Sequence, residues 1–176
     1  MPSVRQILSP AQRLATCCAG AALIEWTLVL PFLLTLGLGF MEFGHALYQY
    51  QQIATGVRDA GRYLSRQDIV DESTMPPTIP IELLEKARRL ATTGTTDMGG
   101  ELRVPYWEPG EVSADLSSED NPEIGAGGEK KYRGGDEVYM VRVTAEVTYE
   151  DVGFLDFFGL GPINFNISHM ERVIGE

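Results

Sequence analysis

Basic side chains are scarce in this 176-residue chain: 14 Lys and Arg stand against 25 Asp and Glu, for a formal net charge of −11. Phosphate contacts need clustered cations, so the balance argues against nucleic-acid binding, and Lys130-Lys131 reads as solvated surface. Cysteine is almost absent. Cys17 and Cys18 are adjacent and precede everything that resembles a domain, so no disulfide framework holds the later chain. They read as small apolar residues at a membrane boundary. A lipoprotein box at Leu14-Ala15-Thr16-Cys17 is disfavoured because its apolar core would precede the cysteine, where Arg13 stands. His45 and His169 are the two histidines, too far apart for metal-ligand spacing. Asp115, Glu119, Asp120 and Glu123 lack the glycine and terminal glutamate of a calcium loop. The glycines from Gly125 to Gly128 lack the strand before and helix after that a nucleotide site requires. Serines occur without a nucleophile elbow. No catalytic residue, metal or cofactor is expected, and the chain does not read as an enzyme.

Charge is missing altogether from Trp26 to Met41, and the apolar stretch reaches back through Leu23 and Ile24. That makes a spanning helix of about 20 residues, the length a hydrocarbon core of about 30 Å demands. Arg5 and Arg13 precede it, while Glu42 and a mostly acidic region follow. Basic residues are retained inside, so the amino terminus is expected in the cytoplasm and the remainder exported. The run is longer than a secretory core and continues into more helix, which predicts an anchor. Pro31 cannot donate to the carbonyl of Thr27, so a kink is expected there, with the Thr27 hydroxyl available to the disturbed backbone; a tolerated proline without mechanical role is the other reading.

One acid, Glu25, interrupts the front of this run. A carboxylate in mid-hydrocarbon costs about 2.5 to 3.5 kcal/mol, so it requires a partner or an interfacial place. Gly20 precedes Ala21-Ala22-Leu23-Ile24-Glu25, and a cut after Gly20 makes Glu25 the fifth residue. In this arrangement the sequence resembles the type IV pilins, whose prepilin peptidase cuts after glycine and whose membrane helix carries a glutamate there. Cleavage frees an amine at Ala21 with a pKa of about 7.7 to 8.0. It lies about 6 Å along the helix from Glu25, and an axially shifted neighbour brings its own amine opposite the acid.

Beyond the run, the residues Leu30-Pro31, Glu42-Phe43-Gly44, Leu47-Tyr48 and Arg58-Asp59-Ala60-Gly61-Arg62-Tyr63 resemble the TadE-like pilus assembly proteins of the tight adherence, Flp-type pilus system. The resemblance covers the first third of the chain, with a looser echo at its end. Trp26 stands where tyrosine often follows the glutamate, and Ala60-Gly61 reverses the commoner small-residue order. The resemblance implies a minor pilin or pseudopilin of an adhesive pilus. It implies a single-pass inner-membrane protein with a periplasmic domain, incorporated in the pilus or assisting it. Its implied partners are the inner membrane, prepilin peptidase acting on Gly20-Ala21, other pilins or pseudopilins and the assembly platform. Two alternatives stay open: a signal-anchored periplasmic ligand-binding or regulatory module, and a type II secretion pseudopilin.

Phe43, Leu47, Tyr50, Ala54, Val57, Gly61 and Leu64 recur at spacings of four and three, the pattern of a helical seam. One helix is expected to reach about Ser65, its seam facing either other subunits or the chain's own sheet. The acids and prolines from Asp68 to Pro80 predict a linker. A short helix is expected from near Pro80, with Leu83, Leu84, Ala87, Leu90 and Ala91 on one face and Gly94 as its stop. Glu101 to Trp107 predicts a short strand, and the polar, glycine-rich segment after it a flexible loop. Tyr139, Val141, Val143, Ala145, Val147 and Tyr149 alternate with polar residues, as do Ile163, Phe165 and Ile167, predicting two antiparallel strands. Between them Phe154, Leu155, Phe157, Phe158 and Leu160 form an apolar loop, expected to close over the core unless it meets a partner or membrane. The fold class is therefore α+β: a leader over 1–20, a transmembrane and stalk helix over 21–66, and a periplasmic domain over 67–176 whose acidic loop lies near 108–135.

Overall fold

A chain without charge between Trp26 and Met41, and without a glycine-proline break before Ser65, propagates one helix. In the computed structural model, which describes residues 18–69, 78–124, 127–132 and 135–174, helix α1 runs from Cys18 to Ser65 and includes Pro31. The Thr27 hydroxyl donates to the Leu23 carbonyl at 2.7 Å, so it serves the preceding turn and not its own carbonyl. Helix α2 spans Ile81–Thr93. Pro80 occupies its N-cap, and Gly94, at φ 80°, ends it with an N–H to the Leu90 carbonyl. The expected helix is thus present with both of its expected boundaries.

Residues 18–43 and 44–176 are two compact units. In the second unit, strands β1 (Val112–Asp120), β4 (Glu137–Tyr149) and β5 (Ile163–Arg172) form an antiparallel sheet in the order β1-β4-β5. The short strands β2 (Glu123–Ile124) and β3 (Glu129–Lys130) pair with each other, and a third helix, α3, covers Phe154–Phe157. Val141 lies opposite Leu116 on one side and Glu171 on the other, which places β4 in the centre. Its alternation buries Val141, Val143, Ala145, Val147 and Tyr149, as the period of two predicts. The opposite face stays polar, with Thr148 bonded to Asn164 and Asn166 to Glu146 across the β4–β5 pair.

The core joins this sheet to Ile53, Val57, Ala60 and Leu64 of α1 and to Ala87 and Ala91 of α2. Small residues permit the close approach. A Cβ at Gly56 would stand 2.2 Å from the Ala91 carbonyl oxygen and 2.7 Å from Cη2 of Trp107, and one at Gly61 would meet the His169 ring at 3.1 Å.

Two expectations fail here. Glu101 to Trp107 is a turn, not a strand: Tyr106 adopts φ 69°, and the Trp107 N–H returns to the Val104 carbonyl so that both Val104 and Trp107 are buried. The expected flexible loop near 108–135 is largely ordered. Val112, Ala114 and Leu116 are too few and too small to announce a strand, yet β1 is an edge strand whose ladder is supplied by β4. Beyond it, buried Asn121 donates to the Tyr132 and Gly135 carbonyls at 2.8 and 3.0 Å and accepts from the Tyr132 N–H at 2.9 Å.

Candidate functional site

Glu25 stands one helical turn beyond Ala21, and Glu25, Val29 and Leu33 follow at intervals of four along one face, with Trp26 beside them. Gly20, Ala21 and Glu25 are exposed, as are Leu23, Ile24, Trp26, Leu28, Phe32 and Leu34 around them. A Cβ at Gly20 would touch nothing within 4 Å. Helix α1 passes through the Gly20–Ala21 bond without interruption. Among the described residues no ion pair reaches Glu25. The arrangement therefore offers an isolated carboxylate on an apolar rod, a ready acceptor for a cation supplied by another molecule. Cys17 and the leader arginines Arg5 and Arg13 lie outside the described residues.

The proposed packing seam divides. Val57 and Leu64 are fully buried and Gly61 is buried, all within the protein's own head. Tyr50 is half exposed and meets the ring of Phe165 edge-on at 5.8 Å. Phe43, at 62% exposure, and Leu47, at 44%, are open. The spacing omitted Ile53 and Ala60, both fully buried, because the face covered by the sheet is wider than a seam of single residues. Glu42 and Gln49 are also buried; Glu42 stood in the sequence as part of the Glu42-Phe43-Gly44 motif, while nothing there marked Gln49.

Polar contacts elsewhere serve the fold. Arg103 meets Asp59 at 2.7 Å, joining α1 to the segment after α2, while Arg88 donates to the Val112 carbonyl at 2.9 Å. Lys130 pairs with Asp136 and holds that carboxyl below its usual range. His169 and Glu171 stand 3.1 Å apart on β5. Among the described residues no group of three or more His, Cys, Asp or Glu could hold a metal ion.

Among the described residues, the fold and this geometry define one helix long and apolar enough to cross a membrane, none of that window buried, joined in sequence to a small α+β head. Residues 20–62 match the family model described as TadE-like protein, the stretch that contains Gly20, Ala21, Glu25 and the seam as far as Gly61. No curated protein and no solved structure matches the chain.

Proposed function

We propose that the protein is a minor pilin or pseudopilin of a tight adherence pilus, processed after Gly20 and assembled through Glu25. One observation carries the reading: in the TadE-like segment, a lone acid stands five residues beyond Gly20 on a stretch of helix that is otherwise uncharged as far as Met41 and exposed almost throughout. Before assembly the helix anchors the chain once in the inner membrane, with the amino terminus cytoplasmic and the head periplasmic. Prepilin peptidase releases the Ala21 amine. The amine and Glu25 of adjacent subunits then pair in a medium of low dielectric, where the attraction far exceeds its value in water. An unmatched register leaves the carboxylate uncompensated, so the charge selects a stagger while the apolar surface supplies the adhesion between helices. The mechanism is noncovalent after cleavage, and the pilus platform and other pilins are its partners.

The mass of the mature amino terminus, measured on protein from its native host, tests the first step. A chain beginning at Ala21 is expected; an uncut chain that still supports surface fibres overturns the proposal and favours an anchored periplasmic module. Glu25→Ala tests the second step: membrane insertion is retained and fibre assembly is lost. Normal fibres from that variant remove Glu25 from the mechanism.

A further inference from the structure

In the connection 150–162 between β4 and β5, Phe154 and Leu155 are half-buried, and the expected closure over the core does not extend to its other apolar residues. Phe157 is 82% exposed, and Val152, Phe158 and Leu160 are exposed beside it. The Phe158 ring lies 4.8 Å from that of Phe154 and 5.2 Å from that of Phe157, gathering them into one cluster. The supporting backbone is internally satisfied. The Asp151 carboxylate accepts from the N–H groups of Leu155 and Asp156 at 2.8 and 3.1 Å, and the Leu160 N–H donates to the Leu155 carbonyl at 2.9 Å. An ordered turn thus holds the rings of Phe157 and Phe158 out of the head, at a hydrophobic cost.

Its position in the head is fixed by three contacts within residues 44–176. His45 Nδ1 lies 3.1 Å from the hydroxyl of Tyr149, the last residue of β4. Tyr50 meets Phe165 near the start of β5, and the Ile174 N–H donates to the Ser65 carbonyl at 2.7 Å beyond its end. The sheet therefore runs beside α1 in one sense. From His45 to Ser65 the helix advances about 30 Å, matching about 35 Å of extended chain from Ile163 to Ile174. The aromatic turn emerges at the His45 end, and the acidic segment between Asp120 and Glu137 at the Ser65 end. In the sequence, the uncharged run stops at Met41, just before His45, and exposed Phe43, Tyr48 and Tyr50 follow, residue types favoured at a bilayer boundary.

We infer that the 152–160 turn is a second membrane contact, its rings lying in the boundary between headgroups and acyl chains of the bilayer that α1 spans. The inference rests on that spanning role. Glu150, Asp151 and Asp156 flank the rings, so the surface suits zwitterionic headgroups and is repelled by anionic ones.

The test uses the full chain with Cys17 and Cys18 replaced by serine, reconstituted in phosphatidylcholine vesicles, with one fluorescent label at a time on Phe157→Cys, Phe32→Cys or Ser117→Cys. Lipids brominated at different chain depths report lipid contact, and aqueous iodide reports water. The expected result is quenching of the Phe157→Cys label by shallow bromines with loss of iodide quenching, and quenching of Phe32→Cys by deep bromines. Ser117→Cys responds to iodide alone. Replacing part of the lipid with phosphatidylglycerol reduces bromine quenching at position 157. If the labels at 157 and 117 respond alike while 32 is quenched by lipid, the membrane contact is wrong and the span stands. A label at 157 shielded from both quenchers overturns the inference in favour of a protein partner. Absence of lipid quenching at 32 overturns the spanning role and the inference with it.

Discussion

Helix α1 is one element with two surroundings. Between Leu23 and Met41 its leucines, phenylalanines and Trp26 are exposed on every side, whereas between Ile53 and Leu64 a face of small and branched residues is fully buried by the sheet and α2. The two stretches reach helicity by different routes. The second is amphipathic, and tertiary packing stabilises it as it does most helices of globular domains. The first has no polar face to give to water, so its cover has to come from lipid or from other helices. Glycine shows the contrast most sharply: Gly56 has no room for a Cβ, while Gly37 and Gly44 have nothing within 4 Å of one.

The largest effect expected from this contrast is at Gly56. Gly56→Val forces the Ala91 backbone and Trp107 apart and should destabilise the head by about 3 kcal/mol. Gly37→Val should change head stability by less than about 0.5 kcal/mol. Chemical unfolding of the full chain in detergent, followed by Trp107 fluorescence in a Trp26→Phe background, measures both. Similar losses from the two would erase the distinction between the stretches.

A smaller effect separates paired from isolated acids. Asp59→Asn removes the partner of Arg103, whose side chain is 17% exposed against 35% for Asp59, and should cost about 1 kcal/mol of head stability. A double-mutant cycle with Arg103→Leu isolates the coupling. Glu25→Gln, at a carboxylate that no ion pair reaches among the described residues, should leave head stability unchanged.

The smallest effect is at Asp136. Lys130 lowers its pKa from 3.8, so the pair contributes stability above that value and loses it as pH falls through the lowered one. The difference between the parent and Asp136→Asn should therefore be flat from about pH 7 to about pH 5 and shrink below 3.8, and salt should screen it. A difference that grows on acidification would contradict the assigned direction.

Much of this organisation was legible because it is periodic. The uncharged run announced α1, alternation announced β4 and β5, and Pro80 with Gly94 marked the ends of α2. What escaped was settled by partners distant in sequence. Strand β1 depends on the ladder of β4, and Trp107 is buried only because Tyr106 turns the chain and Gly56 makes space for the indole. For the candidate site, Gly20, Ala21 and Glu25 were visible as a spacing, and all three lie exposed on one helix. The fate of the seam was not readable, since small residues at Gly61 and Ala60 suit a neighbour's backbone and an internal sheet equally well.

Asn121 gives the acidic end of the head an unusual durability. Its side-chain amide gathers three backbone groups from a segment otherwise rich in glycine. Conversion to aspartate, the common lesion of ageing proteins, would replace the two donated bonds with an acceptor facing carbonyl oxygens. That damage ordinarily begins when the next residue's amide nitrogen attacks the side chain, and here the next residue is Pro122, which has no N–H to release. The clasp is thereby guarded by the residue that follows it.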